Sequence, residues 1–159
     1  MRIVRGLGEQ FAALHGRSLL LARALEPERL YWQPAREPGA RTFPVYSCGE
    51  HLLRSAAAVE QTFGGITVNL WDDPFEWTLP EQLPAPEDVA RYLEEAEATR
   101  LRAFEFLRSD EDLSKEIAAP AGMRTLFSLA SETLARASHH QGRAYATFRL
   151  FSDARLPRV

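Results

Sequence analysis

The stretch Ser138-His139-His140-Gln141-Gly142-Arg143 lies late in the most regular helical segment of the chain, and its register governs how the rest is read. Around it Leu126, Ala130, Thr133, Ala137, Ala144, Phe148 and Phe151 recur every three or four residues, the period of a helix that buries one stripe. One position in the stripe is missing, and the spacing predicts that His140 fills it and points inward. An imidazole buried with no partner costs about 1–3 kcal/mol, so His140 must meet a metal, a substrate or another side chain.

Three further helices precede this one. Leu7, Phe11, Leu14, Leu21 and Leu25 share a face, predicting a first helix over 7–25, with Pro27 just past its end. Gln33 to Pro44 carries three prolines and Gly39 and reads as a crossing loop. Ser47-Cys48-Gly49-Glu50 has the spacing of a capping box, so a second helix starts there and places His51 in its first turn. Leu52, Ala56, Val59 and Phe63 continue its core face, and Gly64-Gly65 is its expected end. Ile66 to Pro84 reads as a long packed connection in which Trp71, Phe75 and Trp77 act as anchors, as Trp32 does earlier. Pro86 suits the first position of a third helix running to about Leu107, with Glu87 and Asp88 favourable at its positive end. Its inner face is Val89, Leu93, Ala96, Arg100, Ala103, Phe104 and Leu107, with Arg100 expected to snorkel out at one edge. Ser109-Asp110-Glu111-Asp112 reads as a solvated turn, Pro120 to Gly122 breaks the chain, and Thr125 caps the last helix. No alternating strand pattern stands out, so the expectation is one all-α domain over 1–159, a four-helix bundle with long crossover connections.

Composition narrows the functional classes. At 159 residues and 45% hydrophobic, the chain can build a real core. A net charge of -3 argues against nucleic acid as a partner, and all but one of the 19 Lys and Arg residues are arginines scattered among acids rather than gathered into a basic run. Cys48 stands alone, which excludes an intrachain disulfide; with no signal-like apolar start this points to a reducing cytoplasm. No apolar run reaches the ~18–20 residues that a membrane span requires.

With these elements in order, the chain resembles the DinB/YfiT-like family over nearly its whole length. Four passages carry the resemblance. Ala24 to Pro34 is similar to the family's end of helix 1; Cys48-Gly49-Glu50-His51-Leu52-Leu53 to the segment that supplies its first ligand histidine; Pro86 to Leu107 with Ser109 to Leu113 to its third helix and acidic turn. His139-His140-Gln141-Gly142-Arg143 resembles its His-His-Arg-Gly-Gln signature with arginine and glutamine exchanged. The resemblance implies an up-down-down-up bundle, commonly a homodimer, with a divalent metal such as zinc or nickel near one end of the core. It also implies activities of the thiol-dependent S-transferase or isomerase kind that use low-molecular-weight thiols.

Carried over residue by residue, the implied metal ligands are His51 and His140. The family's third ligand stands four residues before the last, a spacing that puts two imidazoles on one helical face; here that residue is Arg136, whose guanidinium has no lone pair to donate. Cys48, three residues before His51, and Glu132, one turn before Arg136, are the candidates to complete the set. His139 diverges from His140 by about 100° and is expected at the surface. In the plainer reading His51 and His140 form a satisfied polar pair, Cys48 is a small buried residue, and Glu132 pairs with Arg136. Two functions follow. One is a metal-dependent enzyme of thiol S-transferase or hydrolase type, in which the ion activates a thiol or water and Arg136 holds an anionic group of the substrate. The other is a metal-free small-molecule-binding or structural dimer in which Arg136 takes the place of the positive charge.

Overall fold

The computed structural model describes residues 1–35, 45–74 and 78–155 and is mostly helical. The elements are α1 (Arg2–Ala24), the short α2 (Pro27–Leu30), α3 (Cys48–Val68), α4 (Pro86–Phe104), a 3-10 turn (Asp110–Ser114), a hairpin of β1 (Glu116–Ala119) and β2 (Gly122–Thr125), and α5 (Leu126–Phe148). No helix among the described residues is long and apolar enough to cross a membrane. Phe75, Trp77 and most of the proline-rich loop that the sequence predicts lie outside the described residues.

The two side-chain caps foreseen at helix starts are present. Ser47 Oγ accepts from the Glu50 amide at 3.2 Å while the Glu50 carboxylate takes the Ser47 amide at 2.7 Å, so α3 begins where the spacing puts it. Thr125 caps α5 through the Ser128 amide at 3.1 Å.

Other boundaries differ for identifiable reasons. First, α1 starts at Arg2 rather than Leu7, because Asp110 caps it from across the sequence: its carboxylate accepts the amides of Arg2, Ile3 and Val4 at 2.7, 3.0 and 3.0 Å. The acidic turn is therefore not merely solvated; Asp112 likewise takes the Arg108 and Ser109 amides and pairs with Lys115 at 2.6 Å. Next, α3 runs past Gly64-Gly65 to Val68 and closes on Asn69, whose amide still bonds the Gly65 carbonyl at 3.0 Å and whose left-handed φ of 56° turns the chain out of the helix. Gly65 serves close approach instead, since a Cβ there would stand 2.4 Å from the Trp71 ring. The hairpin, with Gly122 at φ 111° and Ala119 paired to Gly122, escaped the sequence reading because each strand spans one short stretch with little alternation. Arg100 does not snorkel out: it is 4% exposed, paired with Glu97 three residues earlier and lying over the Phe104 ring four residues later.

Each long helix packs chiefly against two others: α3 lies between α4 and α5, and α1 also lies between α4 and α5. One apolar cluster gathers Leu21, Leu30, Leu52, Leu93 and Phe148 at one end. A second, built on the edge-to-face rings of Phe11 and Phe63 at 5.1 Å, fills the middle with Phe104 against it. Burial of each such side chain is worth about 1.5–3 kcal/mol.

Across α3 and α5 the contacts are short and polar. The Cys48 thiol donates to the Ala144 carbonyl at 3.4 Å, Ser55 Oγ to the Ala137 carbonyl at 2.9 Å, and the hydroxyls of Thr62 and Thr133 meet at 2.7 Å. As numbers rise along α3 they fall along α5, so the two helices run antiparallel.

The Asp110 cap has a measurable consequence. The Val4 amide foremost, with that of Arg2, holds this carboxyl below its usual range. A carboxylate whose folded pKa is depressed stabilises above its unfolded pKa and ceases to as pH falls through the folded one. Asp110→Ala should therefore melt below the native protein at neutral pH, and the two melting curves, followed by circular dichroism, should converge in acid. Equal melting at neutral pH would exclude the cap.

Candidate functional site

The capping box fixes the first turn of α3, and with it His51, whose amide donates to the Ser47 carbonyl at 3.1 Å. Gly49 allows this turn to sit against α2: a Cβ there would meet Leu30 and Tyr31 at 2.8 Å. His51 is 2% exposed, and its ring stands at nearly a right angle to that of Tyr46 with centroids 5.5 Å apart. From α5, His140 comes to it with the two Nδ1 atoms 3.4 Å apart. The two histidines that the sequence reading pairs do meet.

The register of α5 differs from the expectation in one detail. Gln141, not His140, fills the gap in the buried stripe: it is 5% exposed and donates from Nε2 to the Leu14 carbonyl at 2.6 Å and to Ser18 Oγ at 2.7 Å. Positions 140 and 141 both satisfy a three-or-four spacing from Ala137 and Ala144, so the period alone does not separate them. An amide with donors and an acceptor suits the polar gap on α1, and Arg17 Nε completes it by donating to Gln141 Oε1 at 3.1 Å. His140 is left half-buried at the margin, where the seam between α3 and α5 opens into a cavity.

The other sequence candidates fall at different places. Cys48 is fully buried, its thiol on the Ala144 carbonyl, and burial pushes its pKa up to about 12, so it is a thiol and not a thiolate near neutral pH. Glu132 pairs with Arg124 on β2 at 2.7 Å rather than with Arg136. Arg136 donates to Gln61 Oε1 at 3.1 Å. His139 is exposed, its ring 5.7 Å from that of His140. Among the described residues no group of three His, Cys, Asp or Glu stands at metal-holding spacing. The two imidazoles stand at an edge that one ion could share, and no third His, Cys, Asp or Glu among the described residues completes a metal-holding group with them.

Around the pair the charge is mainly positive. A cavity of about 110 Å³ is lined by Arg54, Gln61, Asp73, Thr78, Arg136 and His140. Burial first, then Arg143 and its neighbour His140, pushes the pKa of His51 down to about 4; burial, then His139, Arg54, Arg136 and Arg143, does the same to His140. Both rings are neutral at ordinary pH, and one Nδ1–H faces the lone pair of the other Nδ1. Arg54 lies 3.9 Å over the Tyr46 ring. Sequence reasoning missed Arg54, Gln61 and Tyr46. A signal was present: His51, Arg54, Ala58 and Gln61 step by three and four along one face of α3, opposite Arg136, His140 and Arg143 on α5.

Compared with known proteins, the chain matches no family model, no curated protein and no solved structure.

The neutrality of the pair gives a pH signature. Both folded pKa values lie below the ordinary 6.5, so the unfolded chain takes up protons first as pH falls and stability declines from about 6.5 towards 4. Imidazole resonances followed by NMR should titrate near 4 for His51 and His140. Titration of either near 6.5 would show that it is solvated and outside this field.

Proposed function

We propose that the chain is a DinB-like four-helix-bundle protein whose metal-binding end has become a metal-free pocket for a small organic anion, with Arg136 in place of the third ligand. The observation that carries this reading is Arg136 in the wall of the cavity that His140 lines, hydrogen-bonded to the neutral Gln61. A guanidinium keeps its charge at any working pH and offers paired donors to a carboxylate or phosphate. When His140 accepts from His51 at Nδ1, its own Nε2–H is left for a ligand, and the field of Arg54 and Arg143 favours negative charge at the same point.

Support for the up-down-down-up course comes from the residues that meet between helices. Val4 and Leu126 share a cluster near the starts of α1 and α5, and Arg23 pairs with Glu94 while Phe11 meets Phe104, so α1 and α4 run oppositely. Glu60 with Tyr92 and Phe63 with Phe104 advance together along α3 and α4. The long segments between α2 and α3 and between α3 and α4 suit crossovers.

One observation favours a second reading. Two nitrogens each ~2.0–2.1 Å from one tetrahedral ion stand about 3.4 Å apart, which is the separation of the His51 and His140 Nδ1 atoms. In this reading His51 and His140 would hold zinc or nickel, and the chemistry supplied there would be a lowered pKa for a low-molecular-weight thiol or water, as an S-transferase or hydrolase needs.

Calorimetry on protein without a histidine tag separates the two. The native chain should bind zinc and nickel weakly, since the fixed charge of Arg136 opposes a divalent cation. Arg136→His should gain at least about ten-fold in metal affinity by adding an imidazole one helical turn from His140. Arg136→Gln should weaken acetate and phosphate binding by about ten-fold, the worth of one charge-assisted hydrogen bond. Tight metal binding by the native chain would decide for the second reading.

The proposed form is a homodimer, supported by exposed Val68, Leu70 and Phe106 about one end of α3 and α4. Light scattering should give about twice 17.9 kDa; the single-chain mass would exclude it.

A further inference from the structure

We infer, resting on the anion reading above, that the ligand is a monocarboxylate with a short apolar tail, its head between Arg136 and His140 and its tail running past Arg54 into a second cavity. The cavity of about 110 Å³ beside the imidazole pair adjoins one of about 210 Å³, and the two share Arg54 and Thr78 as walls. Their other walls differ in chemistry. Arg136, Gln61 and His140 line the first, whereas Leu53, Leu79, Pro80 and the Tyr46 ring line most of the second. The polar member of the second is Glu50, whose carboxylate is engaged by the Ser47 amide and hydroxyl, each at 2.7 Å.

The order of these surfaces, a cation with a neutral imidazole, then a second cation, then an apolar slot, matches the order of head and tail in an amphiphilic anion. Arg54 is held at the junction by its stacking on Tyr46 at 3.9 Å. Two features bound the ligand further. One guanidinium, that of Arg136, faces the head beside the His140 ring, and the single charge of a carboxylate matches it. The two volumes together reach only the lower end of the ~300–1,000 Å³ range of ligand pockets, so the tail is short.

The test is the affinity of the native chain for acetate, butyrate, hexanoate and octanoate, by NMR titration, with hexylammonium as the control for the head. Affinity should rise about four-fold for each methylene that enters the slot and then level off. Arg136→Gln should weaken all four acids by a similar factor. Leu79→Gln, at a half-buried position, should flatten the series and leave acetate unchanged. A flat series in the native chain with acetate still bound would overturn the tail slot and leave the anion reading intact. Failure of every acid and of phosphate to bind would overturn both, and hexylammonium binding as tightly as hexanoate would overturn the placement of the head.

Discussion

The close approach of α3 and α5 is the constraint on which the rest of the molecule depends. Between these helices the facing residues are small or carry one short polar group: Cys48, Ser55 and Thr62 on one side, Thr133, Ala137 and Ala144 on the other. Backbones can come close only where side chains are small, and each hydroxyl or thiol here meets a carbonyl or another hydroxyl instead of being buried unpaired. Such contacts contribute about 0.5–1.5 kcal/mol each, but the larger effect is on register, since sliding α5 by one residue breaks all of them together. His51 and His140 are one more rung of this ladder, at the point where it reaches solvent. Their proximity follows from the seam rather than from any attraction between two imidazoles.

Much of this was legible in the sequence because it rests on local chemistry. The capping box at Ser47 and Glu50 specifies the start of α3 to the residue, and with it His51, since a cap depends on positions three apart and on little else. The proline at the head of α4 works in the same way. What escaped the reading depends on partners far along the chain. Nothing in Leu7 or Arg2 says that Asp110 will cap α1, and nothing near Gly65 says that Trp71 will lie against it. Arg100 looked like an edge residue because a lone arginine on an apolar face usually is one; Glu97 and Phe104 on the same face let it stay inside.

The exchange of roles between His140 and Gln141 shows how far a period can be trusted. Helical spacing limits the inward position to two neighbours and no further, and the choice between them is made by α1. Leu14, Ser18 and Arg17 present a carbonyl, a hydroxyl and a guanidinium, a set that one side-chain amide satisfies and an imidazole does not. The glutamine thereby fixes α5 against α1, and the histidine beside it is released towards the cavity. The positive surroundings of the pair arise the same way, from Arg54, Arg136 and Arg143 falling on the two faces that the seam turns towards each other.

The Asp110 cap also bears on the order in which the chain can become ordered. The amides that it receives belong to Arg2, Ile3 and Val4, and their acceptor lies as many as 108 positions later. At ~5–20 residues per second that acceptor emerges roughly 5–20 s after them. Until then the first turn of α1 has open amides and frays, while α3 carries its own cap from the moment Glu50 is made. Two helices of nearly equal length thus nucleate on different terms, one from its own sequence and one only when the chain closes on itself.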